Sequence, residues 1–270
     1  MKSTFNTLID EAQFTREILG TGVNRIGKAN YAQKGIYFDA FTGLSTGLER
    51  IGKLCLILDF YISNNGTFPN DSFVRKNFGH DLVKIYSQSQ VFVKERNIKF
   101  EFQDKIDDPI QIEILNILSS FAKGDRYSNI NILVKGNHQS DPTKDWYEKV
   151  DKKLFEQRVT EKKKKEIIFN AKKIQELFGH VVSVRFQGES GEEINDLAKS
   201  SFLTGMTDSI AKYRRLYVLQ IIRYWVEIIR SLQYSAQELS FKEIPWFTEI
   251  FSIFFNEDSF FLRRKTFDKN

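Results

Sequence analysis

Residues 75–86 read RKNFGHDLVKIY and set Arg75 and His80 with four residues between them. An arginine and a histidine beside one phosphate suit RNA cleavage. Imidazole takes the 2′-hydroxyl proton, or protonates the leaving oxygen, near neutral pH. Guanidinium supplies fixed charge to the phosphorane. The same residues have a plainer reading. In GHDL, Asp81 stands where an acid complements a helix dipole, and His80 where a side chain can cap the first turn. The spacing leaves both readings open.

Few other residues compete for chemistry. There is no GxxxxGK[ST], no strand-associated GxGxxG and no HExxH. With three His and one Cys, a Cys/His zinc site has almost no ligands to draw on, so no metal and no cofactor is expected. Cys55 lies in the apolar run LCLIL and reads as a buried thiol. His138, in KGNHQSDP, and His180, after Gly179, read as loop or capping residues. Asp107–Asp108 and Glu192–Glu193 are adjacent, point apart on a regular element, and read as solvent-facing.

These residues must be held by helices. Leu44, Leu48, Ile51, Leu54, Leu58 and Ile62 recur at three- and four-residue steps and predict a helix ending at SNNGTFPND. A short helical piece capped by Asp71 or Ser72 follows, and Gly79 interrupts it. Leu82, Ile85, Tyr86 and Val93 mark the next helix. Residues 109–123 form another, opened by Pro109. The first 35 residues read as a short helix plus a loop, and 145–178 as a long helix with few breakers. Residues 180–193 alternate briefly and suit a strand or an extended loop. The longest stripe runs from Ile210 through Tyr217, Ile221, Tyr224, Trp225 and Ile228 to Leu232. Its aromatics read as core, and Lys212, Arg214, Arg215, Arg223 and Arg230 lie mostly off it. A short helix opened by Pro245 ends the chain. The fold class expected is all-α, a helical bundle with additional C-terminal helices.

The order of GLERIGKLCLIL (47–58), RKNFGHDLVKIY (75–86) and ILSSFAKGDRYSNINIL (117–133) resembles the HEPN superfamily of helical bundles. Prokaryotic toxin and antiphage ribonucleases belong to that superfamily. The resemblance covers roughly residues 35–150. It divides the chain into an N-terminal extension (1–34), a HEPN-like bundle (35–150) and a C-terminal helical extension (151–270). It implies catalysis by Arg75 and His80, the residues matching the family's R-x4-6-H signature. Glu49 and Lys53 match the charged pair on its first helix, with Lys76 and Asp81 flanking the signature. Lys76 departs from the Asn, Asp or His that active members usually carry after the Arg, and the signature comes earlier in the bundle than is usual. Arg126, Tyr127 and Asn129 either complete the site or terminate the third helix. The resemblance further implies a homodimer with the Arg–His pairs facing each other, metal-independent cleavage of RNA, tRNA among the candidates, and 2′,3′-cyclic phosphate ends. An antitoxin or defence-complex protein is the implied partner. A non-catalytic helical module that binds a partner protein or nucleotide is the alternative.

Composition sets the outer bounds. A net charge of +5 permits an anionic partner without demanding one. The run KKKK at 162–165 reads first as a solvated helix face and second as a nucleic-acid contact. The N-terminus has no apolar signal core and no run is long enough to span a bilayer, so a cytoplasmic protein without a membrane partner is expected.

Overall fold

The computed structural model of the chain describes residues 3–136 and 140–268. His138 lies outside the described residues. The fold is all-α. Helix α1 (Thr4–Ile26) and helix α2 (Gly35–Ser63) form an antiparallel hairpin. Then come α3 (Asp71–Phe78), α4 (Leu82–Glu95), α5 (Pro109–Lys123), α6 (Ser128–Leu133) and α7 (Pro142–Trp146). A π-helical turn over Tyr147–Asp151 leads into α8 (Lys152–Arg158) and α9 (Glu161–Phe178). A two-stranded antiparallel hairpin, β1 (Phe186–Gln187) with β2 (Glu193–Ile194), pairs Phe186 with Ile194. The 42-residue α10 (Leu197–Glu238) is the central column, and α11 (Phe247–Ile250) and α12 (Asp258–Arg263) close the chain.

The stripe predicted on α2 is the buried one: Leu44, Leu48, Ile51, Leu54, Leu58 and Ile62 are all in the core. So are Ile114, Leu115, Leu118 and Phe121 of α5, and Ile210, Tyr217, Ile221, Tyr224, Trp225, Ile228, Ile229 and Leu232 of α10. One contiguous apolar cluster joins Leu8 of α1, Leu48 of α2, Ile114 of α5 and Ile228 of α10. The burial of these stripes, more than helix propensity, holds the long helices in place.

Four expectations need correction. The N-terminal region is a 23-residue helix rather than a short one. The segment 145–178 is broken at Val159, whose ψ of 126° leaves the helical region, and Thr160 caps a new helix by accepting from the Lys163 N–H. The cap of α3 is Asn70, not Asp71 or Ser72. Arg214 and Arg223, expected off the apolar stripe, are buried.

Candidate active site

Glu49 lies in the middle of α2, half-buried, with Lys53 one turn on. Its Oε1 accepts from Lys53 Nζ at 2.7 Å and is 2.9 Å from His80 Nδ1. A carboxylate oxygen accepts, so Nδ1 carries the ring proton and donates it to Glu49. In the neutral ring Nε2 presents its lone pair, and this nitrogen has no hydrogen-bond partner among the described residues. The His80 side chain is 73% exposed against 17% for Glu49. An anchored carboxylate thus orients an imidazole whose far nitrogen is free to exchange a proton with a ligand.

Two backbone features bring His80 to Glu49. Gly79 adopts φ 20°, ψ −157°, a combination costly for a residue with a Cβ, and turns the chain from α3 into α4. Gly52 lets α4 lie close on α2: a Cβ there would stand 2.5 Å from Ile85 Cγ2 and 3.4 Å from Trp225 Cη2. Asp81 caps α4, accepting from the Val83 and Lys84 N–H groups at 3.0 and 3.2 Å. It also accepts from Ser119 Oγ at 3.0 Å and from Lys123 Nζ at 2.9 Å, which ties the turn to α5. Partial burial raises the Asp81 pKa. The Lys123, Lys84 N–H and Ser119 hydrogen bonds outweigh that and leave it below the usual carboxylate value.

The other expected site residues sit elsewhere. Arg75 pairs with Asp71 one turn back on α3 at 2.8 Å, both largely in solvent, and no hydrogen bond joins it to His80 among the described residues. Lys76 is exposed beside it. Arg126 donates to the Ala122 carbonyl in the last turn of α5. Arg126 and Asn129 line a cavity of about 470 Å³ with Lys34, Asp125 and Gln187, which includes none of Glu49, Lys53 and His80. Tyr127 is exposed. His180 is an exposed residue in the turn after α9, and Cys55 is a buried free thiol.

A second polar centre was missed in the sequence. Arg214, wholly buried on α10, donates from Nε to Asp151 Oδ1 at 2.7 Å, from Nη1 to the Ala29 carbonyl at 2.6 Å and from Nη2 to the Tyr37 hydroxyl at 2.9 Å. Trp146 Nε1 donates to Asp151 Oδ1 at 2.9 Å, and Tyr37 donates toward Glu189 at 3.2 Å. Burial raises the pKa of Asp151, against the pull of Arg214, and raises that of Glu189. The guanidinium of Arg214 stays charged because Asp151 offsets its burial. Asp151 closes the π-helical turn, which aims its carboxylate inward. Each guanidinium nitrogen is hydrogen-bonded inside the protein, so the centre joins α2, the π-helical turn and α10 and is closed to a ligand.

Comparison of the chain with protein-family models, with curated proteins and with solved structures found no match in any of them. Among the described residues no group of three His, Cys, Asp or Glu side chains is placed to hold a metal ion. Among the described residues no helix is long and apolar enough to cross a membrane.

Proposed function

We propose that this chain is a metal-independent endoribonuclease of the HEPN kind, acting in a toxin–antitoxin or antiphage system. The observation that carries the reading is Glu49 Oε1 bridging Lys53 Nζ and His80 Nδ1 while the imidazole stays exposed. In the reaction the ribose 2′-oxygen attacks the adjacent phosphorus and its proton passes to His80 Nε2. The bond from phosphorus to the 5′-oxygen breaks, and that oxygen takes a proton from an imidazolium, the same histidine of a second copy, or from water. The products are a 2′,3′-cyclic phosphate and a 5′-hydroxyl. Lys53 balances the charge of Glu49 and keeps it in place as the imidazole gains its proton.

Arg75 is the phosphate-stabilising residue of this reading. Its pair with Asp71 is exposed and i,i+4, the kind worth about 0.3–0.5 kcal/mol. The guanidinium leaves it at little cost when a phosphate arrives. The homodimer of the reading has a surface available. A 3-10 turn over Asp125–Tyr127 leads from α5 into α6, and α6 with its C-cap Val134 exposes Ile130, Ile132, Leu133 and Val134, an apolar patch of the kind that marks interaction sites. RNA, including tRNA, is the substrate class, and an antitoxin or other defence protein is the expected regulator.

The second reading is a non-catalytic module that binds a partner through the same surface. Arg75 standing apart from His80 favours it. Incubation of purified protein with total RNA and tRNA in EDTA separates the two. Fragments ending in cyclic phosphate support the nuclease. Intact RNA with a well-folded protein of any oligomeric state supports the module.

A further inference from the structure

A second basic site lies where α8, α9 and α10 meet. Arg158, Thr160, Lys163, Asp208, Ser209, Lys212 and Arg215 line an open pocket of about 480 Å³ there. It shares no lining residue with Glu49, Lys53 and His80. Three of its cations have no carboxylate partner among the described residues. The Arg158 guanidinium is held by the Tyr217 hydroxyl, with Nε at 3.0 Å and Nη2 at 2.6 Å. Lys212 lies over the Tyr213 ring, 4.9 Å from its centroid. Arg215 makes a hydrogen bond from Nη1 to the Lys265 carbonyl at 3.0 Å, and its Nε is buried without a partner. Burial alone lowers the Arg215 pKa, in keeping with a guanidinium that has no counter-charge beside it. The fourth cation, Lys163, shares its charge with Glu166 at 2.7 Å, and Asp208 is the one acid in the lining. The first turn of the 18-residue α9, capped by Thr160, opens on the same pocket and adds the positive end of its dipole.

Gathering uncompensated cations in one concavity raises the free energy of the empty fold, and an anion relieves it. Two features set the shape of that anion. The pocket is in the size range of small-molecule sites. It also shares Lys163, Asp208 and Ser209 with a neighbouring groove between α9 and α10, lined by Ser200, Ser201 and Thr204 over Ile167 and Ile174. A charged head at Arg158, Lys212 and Arg215 therefore continues into a hydroxyl-lined channel with an apolar floor. We propose that this pocket binds the phosphate end of a small phosphorylated molecule, with the rest of the molecule lying along the α9–α10 groove. Since the pocket is apart from His80, the proposal stands whether or not the chain cuts RNA.

The test is isothermal titration calorimetry of the full chain with inorganic phosphate, pyrophosphate, a mononucleotide and an RNA oligonucleotide, at one ionic strength set with chloride. Lys212→Glu removes an exposed cation of the pocket. Lys165→Glu makes the same charge change on α9 outside it, and thermal melts check that both variants fold. The expected result is one site per chain for pyrophosphate or the mononucleotide, tighter than for inorganic phosphate. Lys212→Glu should weaken it at least tenfold, and Lys165→Glu less than twofold. No heat with any small phosphate, binding of RNA alone, or equal weakening by both substitutions would overturn the proposal. The last result would mean diffuse attraction to a basic surface.

Discussion

Two carboxylates organise polar clusters in this molecule, in opposite surroundings. Glu49 holds Lys53 and His80 at the surface, and Asp151 holds Arg214, Tyr37 and Trp146 in the core. Each acid holds one nitrogen donor close by in sequence, Lys53 or Trp146, and one from a distant part of the chain, His80 or Arg214. In the core cluster each guanidinium nitrogen is hydrogen-bonded inside the protein, and the arginine is closed to solvent. The surface cluster leaves one imidazole nitrogen open. Burial therefore decides the role: the first centre contributes to folding, and only the second can exchange a proton with a ligand.

The comparison can be broken from the core side first. Asp151→Ala leaves Arg214 charged and buried with no counter-ion, which should cost about 3–5 kcal/mol. Chemical denaturation checks it, and a loss under about 1 kcal/mol would mean that water reaches Arg214. Gly52→Ala is next, because its methyl meets the buried Ile85. It should cost about 1–3 kcal/mol and lift His80 from Glu49, lowering cleavage along with stability. Asp81→Ala removes the cap of α4 and should cost about 1–2 kcal/mol at pH 7. The Asp81 pKa is depressed in the fold, so its contribution is present above the unfolded carboxylate range and is lost as pH falls through the folded value. The gap between wild type and Asp81→Ala should narrow when melts are repeated toward pH 3.

Glu189 sharpens the comparison with the opposite sign. Its pKa is raised by burial and by Asp151, so the fold favours its protonated form and loses stability as pH rises through that value. Glu189→Gln should melt higher than wild type at pH 8 and equal to it near pH 4. A lower melting point at pH 8 would show that the charge is needed beside Arg214. The smallest effect on stability belongs to the exposed His80, where substitution by Ala should shift it by no more than about 0.5 kcal/mol.

Much of this was legible in the sequence where apolar period and local signals agree. The stripes of α2, α5 and α10 predicted their buried faces, and Glu49 with Lys53 at i,i+4 share a face as spacing requires. The N-terminal helix was read too short because Gly20 and Gly22 look like breakers. They are points of close approach, where a Cβ would meet the Phe267 carbonyl and the Leu44 side chain. Arg214 was placed off the apolar stripe because its partner Asp151 is 63 residues away, and nothing local announces such a pair. Arg75 and His80 show the converse. They are near in sequence and lie on different elements, Arg75 directed by its own helix toward Asp71 and His80 by Gly79 toward α2. The basic pocket on α10 escaped notice because its cations come from three helices.

The central claim is that the open nitrogen of His80 moves the proton in RNA cleavage. Its most direct test is the single-turnover cleavage rate of His80→Ala against wild type, in EDTA, with matched melting points. The account predicts a loss of about 10²–10⁴-fold in the rate at which cyclic-phosphate ends form. Cleavage at the wild-type rate by a folded His80→Ala protein would contradict it.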